Sequence, residues 1–152
     1  MGYISDLRKA LGSRPVIGVG ATVLVINSEG KILLNRRSDT GTWGIPGGSK
    51  ELNETIEECA LRELKEETDI SARDLRLLTV LSGPEYYFKY PNGDEMDTVI
   101  VLFSVRDYSG TLRINDGEST ELKFFSLDHL PVLESRAAAI LEKVRSGKIS
   151  LG

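Results

Sequence analysis

From Asn53 to Thr68 the chain lays Ile56, Cys59, Ala60 and Leu64 along one side of a helix, and glutamates interrupt that stripe. Starting at Ile56, the helical repeat calls for apolar residues near positions 59, 60, 63, 64 and 67, yet 63 and 67 are Glu63 and Glu67. At about 100° per residue, Glu63, Glu66 and Glu67 share one narrow arc beside the stripe. Any fold that buries this helix must therefore place three carboxylates at the seam. They stand at the C-terminal end, where the helix dipole favours Lys or Arg by about 0.3–1 kcal/mol each. Asn53 is the expected N-cap, and Glu58 and Arg62 have the spacing of a surface pair.

Carboxylates crowded in this way either take up protons or hold a hard cation through oxygen. A divalent cation is the simpler answer. Mg²⁺ keeps several waters and is shared between a few carboxylates and substrate phosphates, which suits a helix edge. Zinc lacks donors, because the chain holds one histidine, His129, and one cysteine, Cys59, far apart in sequence. The alternative is a solvated acidic face paired with Arg62 and Lys65. Ahead of the helix, Gly47-Gly48 lets backbone approach a ligand, and Trp43 and Pro46 stiffen that approach.

The remaining elements are mostly strands. Tyr3 to Leu11 has helical spacing, and an N-terminal helix is expected over residues 1–12. Val16 to Ile26 is β-branched and apolar, and a turn at Asn27 to Gly30 leads to KILLNRR, which predicts a hairpin. Further strands are expected at Leu75 to Leu81, Tyr86 to Tyr90, Met96 to Val105 and Leu122 to Ser126, with a last helix within residues 134–146. This order predicts an α/β (α+β) fold with a central mixed sheet covered by helices. With 152 residues and 40% hydrophobic content, one domain spanning the chain is expected. A net charge of -4 offers no broad basic field for a long nucleic acid. No secretory signal, no apolar run of about eighteen residues and no cysteine pair is present, so a cytoplasmic location and no membrane partner are expected.

Gly48, five residues, Glu54, seven residues, then Arg62-Glu63-Leu64-Lys65-Glu66-Glu67-Thr68-Asp69-Ile70 resembles the Nudix box of the Nudix hydrolases. One fixed position differs: Asp69 stands where the family has Gly, just past the helix end, and Asp tolerates the left-handed conformation that closes helices there. The strand end Arg36-Arg37, the approach WGIPGG and the later FFSLDHLP are also similar. The resemblance implies an α/β/α sandwich around a mixed sheet, with the box loop and catalytic helix at residues 47–70. It further implies hydrolysis of a nucleoside diphosphate linked to another group, by water attack on phosphorus with Mg²⁺, or Mn²⁺ in its place. Glu63, Glu66, Glu67 and the Gly47 carbonyl are the implied metal ligands, and Glu63 the candidate for activating water. Gly48 is structural. Arg62 and Glu54 would orient loop and helix through an ion pair, and Glu118 resembles an extra acid from outside the box, with Glu121 competing for that role.

Other assignments rest on residue chemistry. Arg36 or Arg37 at a strand end offers forked donors to a phosphate. Tyr87, in the run Tyr86, Tyr87, Phe88 and Tyr90, is the candidate to stack on a base, half of that strand being core. Trp43 is a pocket wall or core, and Cys59 and His129 are structural. Subfamilies of the Nudix hydrolases are sorted by a Pro or a Tyr after the box, and Pro84 and Tyr87 supply both. Nucleoside triphosphates, ADP-ribose, dinucleoside polyphosphates and capped RNA ends thus all stay open as substrates. A homodimer is common in the family. The competing readings are a nucleotide-binding sensor without turnover and a calcium module, which lacks the spaced Asp and Gly of an EF-hand loop.

Overall fold

The strand Val16–Val25 is apolar along both faces because it lies inside a sheet between two helices. The computed structural model describes residues 2–115 and 117–151. Its elements run α1 (Tyr3–Leu11), β1 (Val16–Val25), β2 (Ile32–Arg37), β3 (Trp43–Gly44), β4 (Gly47–Ser49), α2 (Ile56–Thr68), β5 (Ser71–Ala72), β6 (Arg76–Leu81), β7 (Tyr87–Lys89), β8 (Glu95–Val105), β9 (Tyr108–Ser109), β10 (Ser119–Phe125) and α3 (Ser135–Arg145). β1 pairs in parallel with β8 over its whole length, from Val16 opposite Met96 to Val25 opposite Val105, and antiparallel with β4. β8 carries β6 and β7 antiparallel, which makes the larger sheet mixed. β10, β2 and β3 form a second sheet, and β5 and β9 a small ribbon.

The expected hairpin between β1 and β2 is not formed. Ile26 and Ile32 make an isolated bridge, and the chain passes from one sheet to the other through the intervening turn. There the Asn27 side chain accepts the backbone N–H groups of Glu29 and Lys31 at 3.0 and 2.9 Å. Both hydrogen-bonding edges of β1 are occupied, by β8 and β4, so β2 pairs with β10 and β3 instead.

Alternation along β1 divides its side chains between two cores. Leu24 packs with Ile140, Leu141 and Val144 of α3, whereas Val23 and Val25 pack with Cys59, Ala60 and Leu64 of α2. The helices therefore cover opposite sides of the strands, and the fold is an α/β/α sandwich with a central mixed sheet. Each fully buried Leu, Val or Phe contributes roughly 1.5–3 kcal/mol, so Leu64 and Leu141, both 0% exposed, anchor their helices firmly. Trp43 belongs to the α3-side core and meets Phe125 edge-on, with ring centroids 4.9 Å apart.

α2 begins two residues later than Asn53 suggests. Thr55 is the N-cap: its side chain accepts from Glu58 N–H at 3.0 Å, and the Glu58 carboxylate accepts from Thr55 N–H at 2.8 Å. Glu58 is thereby committed to the cap and does not pair with Arg62. Asn53 adopts a left-handed conformation, φ 63°, in the preceding loop. At the other end Asp69 closes the helix at φ 64°, its N–H donating to the Lys65 carbonyl at 3.0 Å. Pro84–Tyr86 is a 3-10 turn rather than strand, and it buries Tyr86 before β7 begins.

Candidate active site

Close packing between α2 and β4 builds the site. A Cβ on Gly47 would overlap the carbonyl oxygen of Ala21, and one on Gly48 would run into the Glu63 carboxylate. Gly48 thus lets the helix edge come this near to β4, and Gly47 lets β4 lie close against β1. Glu67, 5% exposed, accepts from the backbone N–H of Gly47 at 2.7 Å. A glutamate at a core position of the helix is thus tied directly to the glycine loop.

Arg62 gathers the other carboxylates. It donates to Glu54 through Nε at 2.5 Å and through a terminal nitrogen at 3.0 Å, and to the Ser49 carbonyl at 3.0 Å. Its remaining terminal nitrogen reaches Glu63 at 2.9 Å and Glu66 at 3.2 Å. Glu54 also accepts from Glu51 N–H at 3.0 Å, so loop and helix are joined as the ion-pair expectation had it. The Arg62 hydrogen bonds pull the Glu54 carboxyl down to about 2. Burial pushes Glu63 up despite its bond to Arg62, and the like charges of Glu66 and Glu118 add to the rise. Burial likewise pushes the Cys59 thiol up to about 11, with the Glu54 charge adding, which leaves a neutral core side chain.

Glu63, Glu66, Glu67, Gly47 and Glu118 all open on one cleft of about 530 Å³. Carboxylate and carbonyl oxygens are the donors that Mg²⁺ takes, so the donor chemistry fits a hard divalent cation. In this structure the helix carboxylates are drawn to Arg62 and to the Gly47 N–H, and among the described residues no three acidic, His or Cys side chains close around one point.

The other expected residues separate clearly. Arg37 lines the cleft; Arg36 points outward, its Nε donating to the Gly41 carbonyl at 3.1 Å. Tyr87 lies outside the cleft, its hydroxyl donating to Glu95 at 2.8 Å, and Tyr90 lines the cleft instead. The alternation of β7 turns Tyr87 and Lys89 outward and Phe88 inward, and Tyr90 follows that inward phase. Glu118 lines the cleft, while Glu121 sits exposed on β10 opposite Arg36. Glu51 accepts from Tyr3 N–H at 2.7 Å and fastens α1 to the box loop. His129 is exposed in the loop before α3.

Sequence reasoning missed Asn35, Glu134 and Arg136, all of which line the cleft. Asn35 is 7% exposed; its Nδ2 donates to Ser119 Oγ at 3.0 Å and its Oδ1 has no partner. A polar residue closing the buried run Ile32-Leu33-Leu34 was a readable signal. Glu134 and Arg136, at the start of α3, carry no such pattern.

An α/β/α sandwich whose glycine loop and helix carry these carboxylates into one cleft defines a Nudix-type protein. Residues 16–144 match the model of the NUDIX domain, and the chain belongs to that family. It is 35% identical over 132 residues to the ADP-ribose pyrophosphatase of Methanocaldococcus jannaschii, covering 84% of this chain and 72% of that protein. It is 33% identical over 113 residues to the putative 8-oxo-dGTP diphosphatase of Bacillus subtilis, covering 74% and 69%. The crystal structure of the MutT NUDIX hydrolase from Burkholderia pseudomallei superposes with a TM-score of 0.71 at 29% identity, over 85% of this chain and 98% of that one.

Proposed function

We propose that this Nudix hydrolase cleaves the diphosphate of a nucleoside diphosphate linked to another group, with Mg²⁺ as its cation and Mn²⁺ as a substitute. One observation carries the reading: three α2 carboxylates and the glycine loop open on a single cleft with a fourth acid, Glu118, from outside the helix. Relatives named as an ADP-ribose pyrophosphatase and a putative 8-oxo-dGTP diphosphatase support it.

Glu63, Glu66, Glu67 and the Gly47 carbonyl would hold the cation. When bound, it would supply positive charge to the phosphate oxygens and a site for the attacking water. Glu63 accepts the proton that this water loses as its oxygen bonds to phosphorus and the P–O anhydride bond breaks. Arg62 and Glu54 fix the helix edge against the loop, and Gly48 leaves room for the Glu63 carboxylate. Arg37 and Tyr90 bind the substrate beyond the diphosphate, and Glu118 stands by as a further acid.

The test is product release from ADP-ribose, dinucleoside polyphosphates and nucleoside triphosphates with Mg²⁺, Mn²⁺ or chelator, for the natural chain and Glu66→Gln. Chelator-sensitive release of a nucleoside monophosphate, lost in Glu66→Gln, is expected. Full activity in that variant would refute the mechanism. Nucleotide-dependent stabilisation without turnover would instead mark a sensor.

A further inference from the structure

The same cleft is lined by Arg37, Tyr90, Glu134 and Arg136, which the three carboxylates of the helix do not account for. Arg136 donates through Nε to Glu134 Oε1 at 2.8 Å, and its guanidinium lies over Phe88 with Cζ 4.2 Å from the ring centroid. The two side chains are 14% and 8% exposed. An ion pair sunk this far is weak as a stabilising device, because desolvation offsets its attraction. This one, moreover, engages the guanidinium at a single nitrogen. The two terminal NH₂ groups of Arg136 make no hydrogen bond among the described residues, and neither is sealed away from open space.

Arg37 differs. Asp39 holds its Nε at 2.9 Å and a terminal nitrogen at 2.7 Å, and its Cζ lies 5.2 and 5.8 Å from the Phe88 and Tyr90 ring centroids. Each arginine thus has its own acid, and the positive and negative charges of these pairs cancel. Such a pairing is a poor trap for a phosphate. It leaves the terminal NH₂ groups of Arg136 for a neutral ligand that carries paired acceptors, with Tyr90 on the cleft wall.

We infer that Arg136 reads the base of the substrate: its two terminal NH₂ groups donate to two adjacent acceptors on a nucleobase, as guanine presents at O6 and N7 and cytosine at O2 and N3. Adenine has no such pair, since the acceptor beside its amino group is matched by a donor. Glu134 is a positioning residue that sets the guanidinium plane. This inference rests on the nucleotide-hydrolase reading above and adds which nucleotides the cleft selects.

The test is calorimetric binding of GMP, CMP, AMP and 7-deaza-GMP in EDTA, so that neither metal nor turnover contributes, for the natural chain, Arg136→Lys and Arg136→Met. GMP or CMP should bind about ten- to a hundredfold tighter than AMP. Arg136→Lys keeps the charge but cannot span two acceptors, so it should lose that preference while binding AMP as before. A penalty for 7-deaza-GMP identifies guanine as the base read; tighter CMP binding identifies cytosine. AMP binding as tight as both others, or a preference that survives Arg136→Lys, overturns the inference. Turnover without base preference leaves the hydrolase reading standing, whereas a folded chain that neither binds nor cleaves any nucleotide sinks both.

Discussion

The Glu63 carboxylate fills the space that a side chain on Gly48 would need. Gly48→Ala therefore displaces the end of a side chain rather than backbone, and the fold should persist. Misplacing a reacting group by about 1 Å costs on the order of 100-fold in rate, so kcat should fall by about that factor with little change in Tm. Gly47→Ala meets the Ala21 carbonyl instead and should unfold at a visibly lower temperature. Equal loss of Tm in both variants would contradict this geometry.

Arg62 has Glu54 on two of its nitrogens, and removing it leaves largely buried carboxylates without their partner. Arg62→Met should destabilise the chain by about 1.5–3 kcal/mol in urea unfolding. In the double variant Arg62→Met/Glu54→Gln the second change should cost far less than it does alone. Strict additivity would mean that the two side chains act independently.

Glu54 titrates at about 2 in the folded chain, against an ordinary value of 4.5. Because the folded value is depressed, its stabilising contribution is complete above the unfolded value and is lost as pH falls from about 4.5 toward 2. Glu54→Gln should therefore flatten the acid limb of the stability curve in that window. Superimposable acid limbs for both proteins would place the titration elsewhere.

Thr55→Ala removes one half of the capping box and should cost about 1 kcal/mol of stability. Asn53→Gly, by contrast, should show little loss, since Asn53 lies before the cap in a left-handed turn that glycine adopts without strain. Thermal melts of the two variants rank the positions directly.

The inner edge of α2 was legible because a helix repeats its buried face in the chain, and Glu63 and Glu67 broke that repeat openly. Its start was not, because Asn53 and Thr55 are both good capping residues and the reach of Glu58 decides between them. The false hairpin has a related cause: nothing local in β1 says that its partner is β8, which begins near Met96. Tyr87 and Tyr90 are not distinguished in the sequence because alternation alone carries no phase, and the turn at Pro84–Tyr86 supplies it. Arg136 carries no local signal because its partner Phe88 lies far away in sequence and only the folded chain brings it beside the guanidinium.

Arg62 gives the acidic site a resting counter-ion of its own. Glu63 and Glu66 share its guanidinium, so on the proposed function a divalent ion would exchange with a charge already in place rather than enter a bare anionic hole. The free energy of occupancy is then a difference between two pairings.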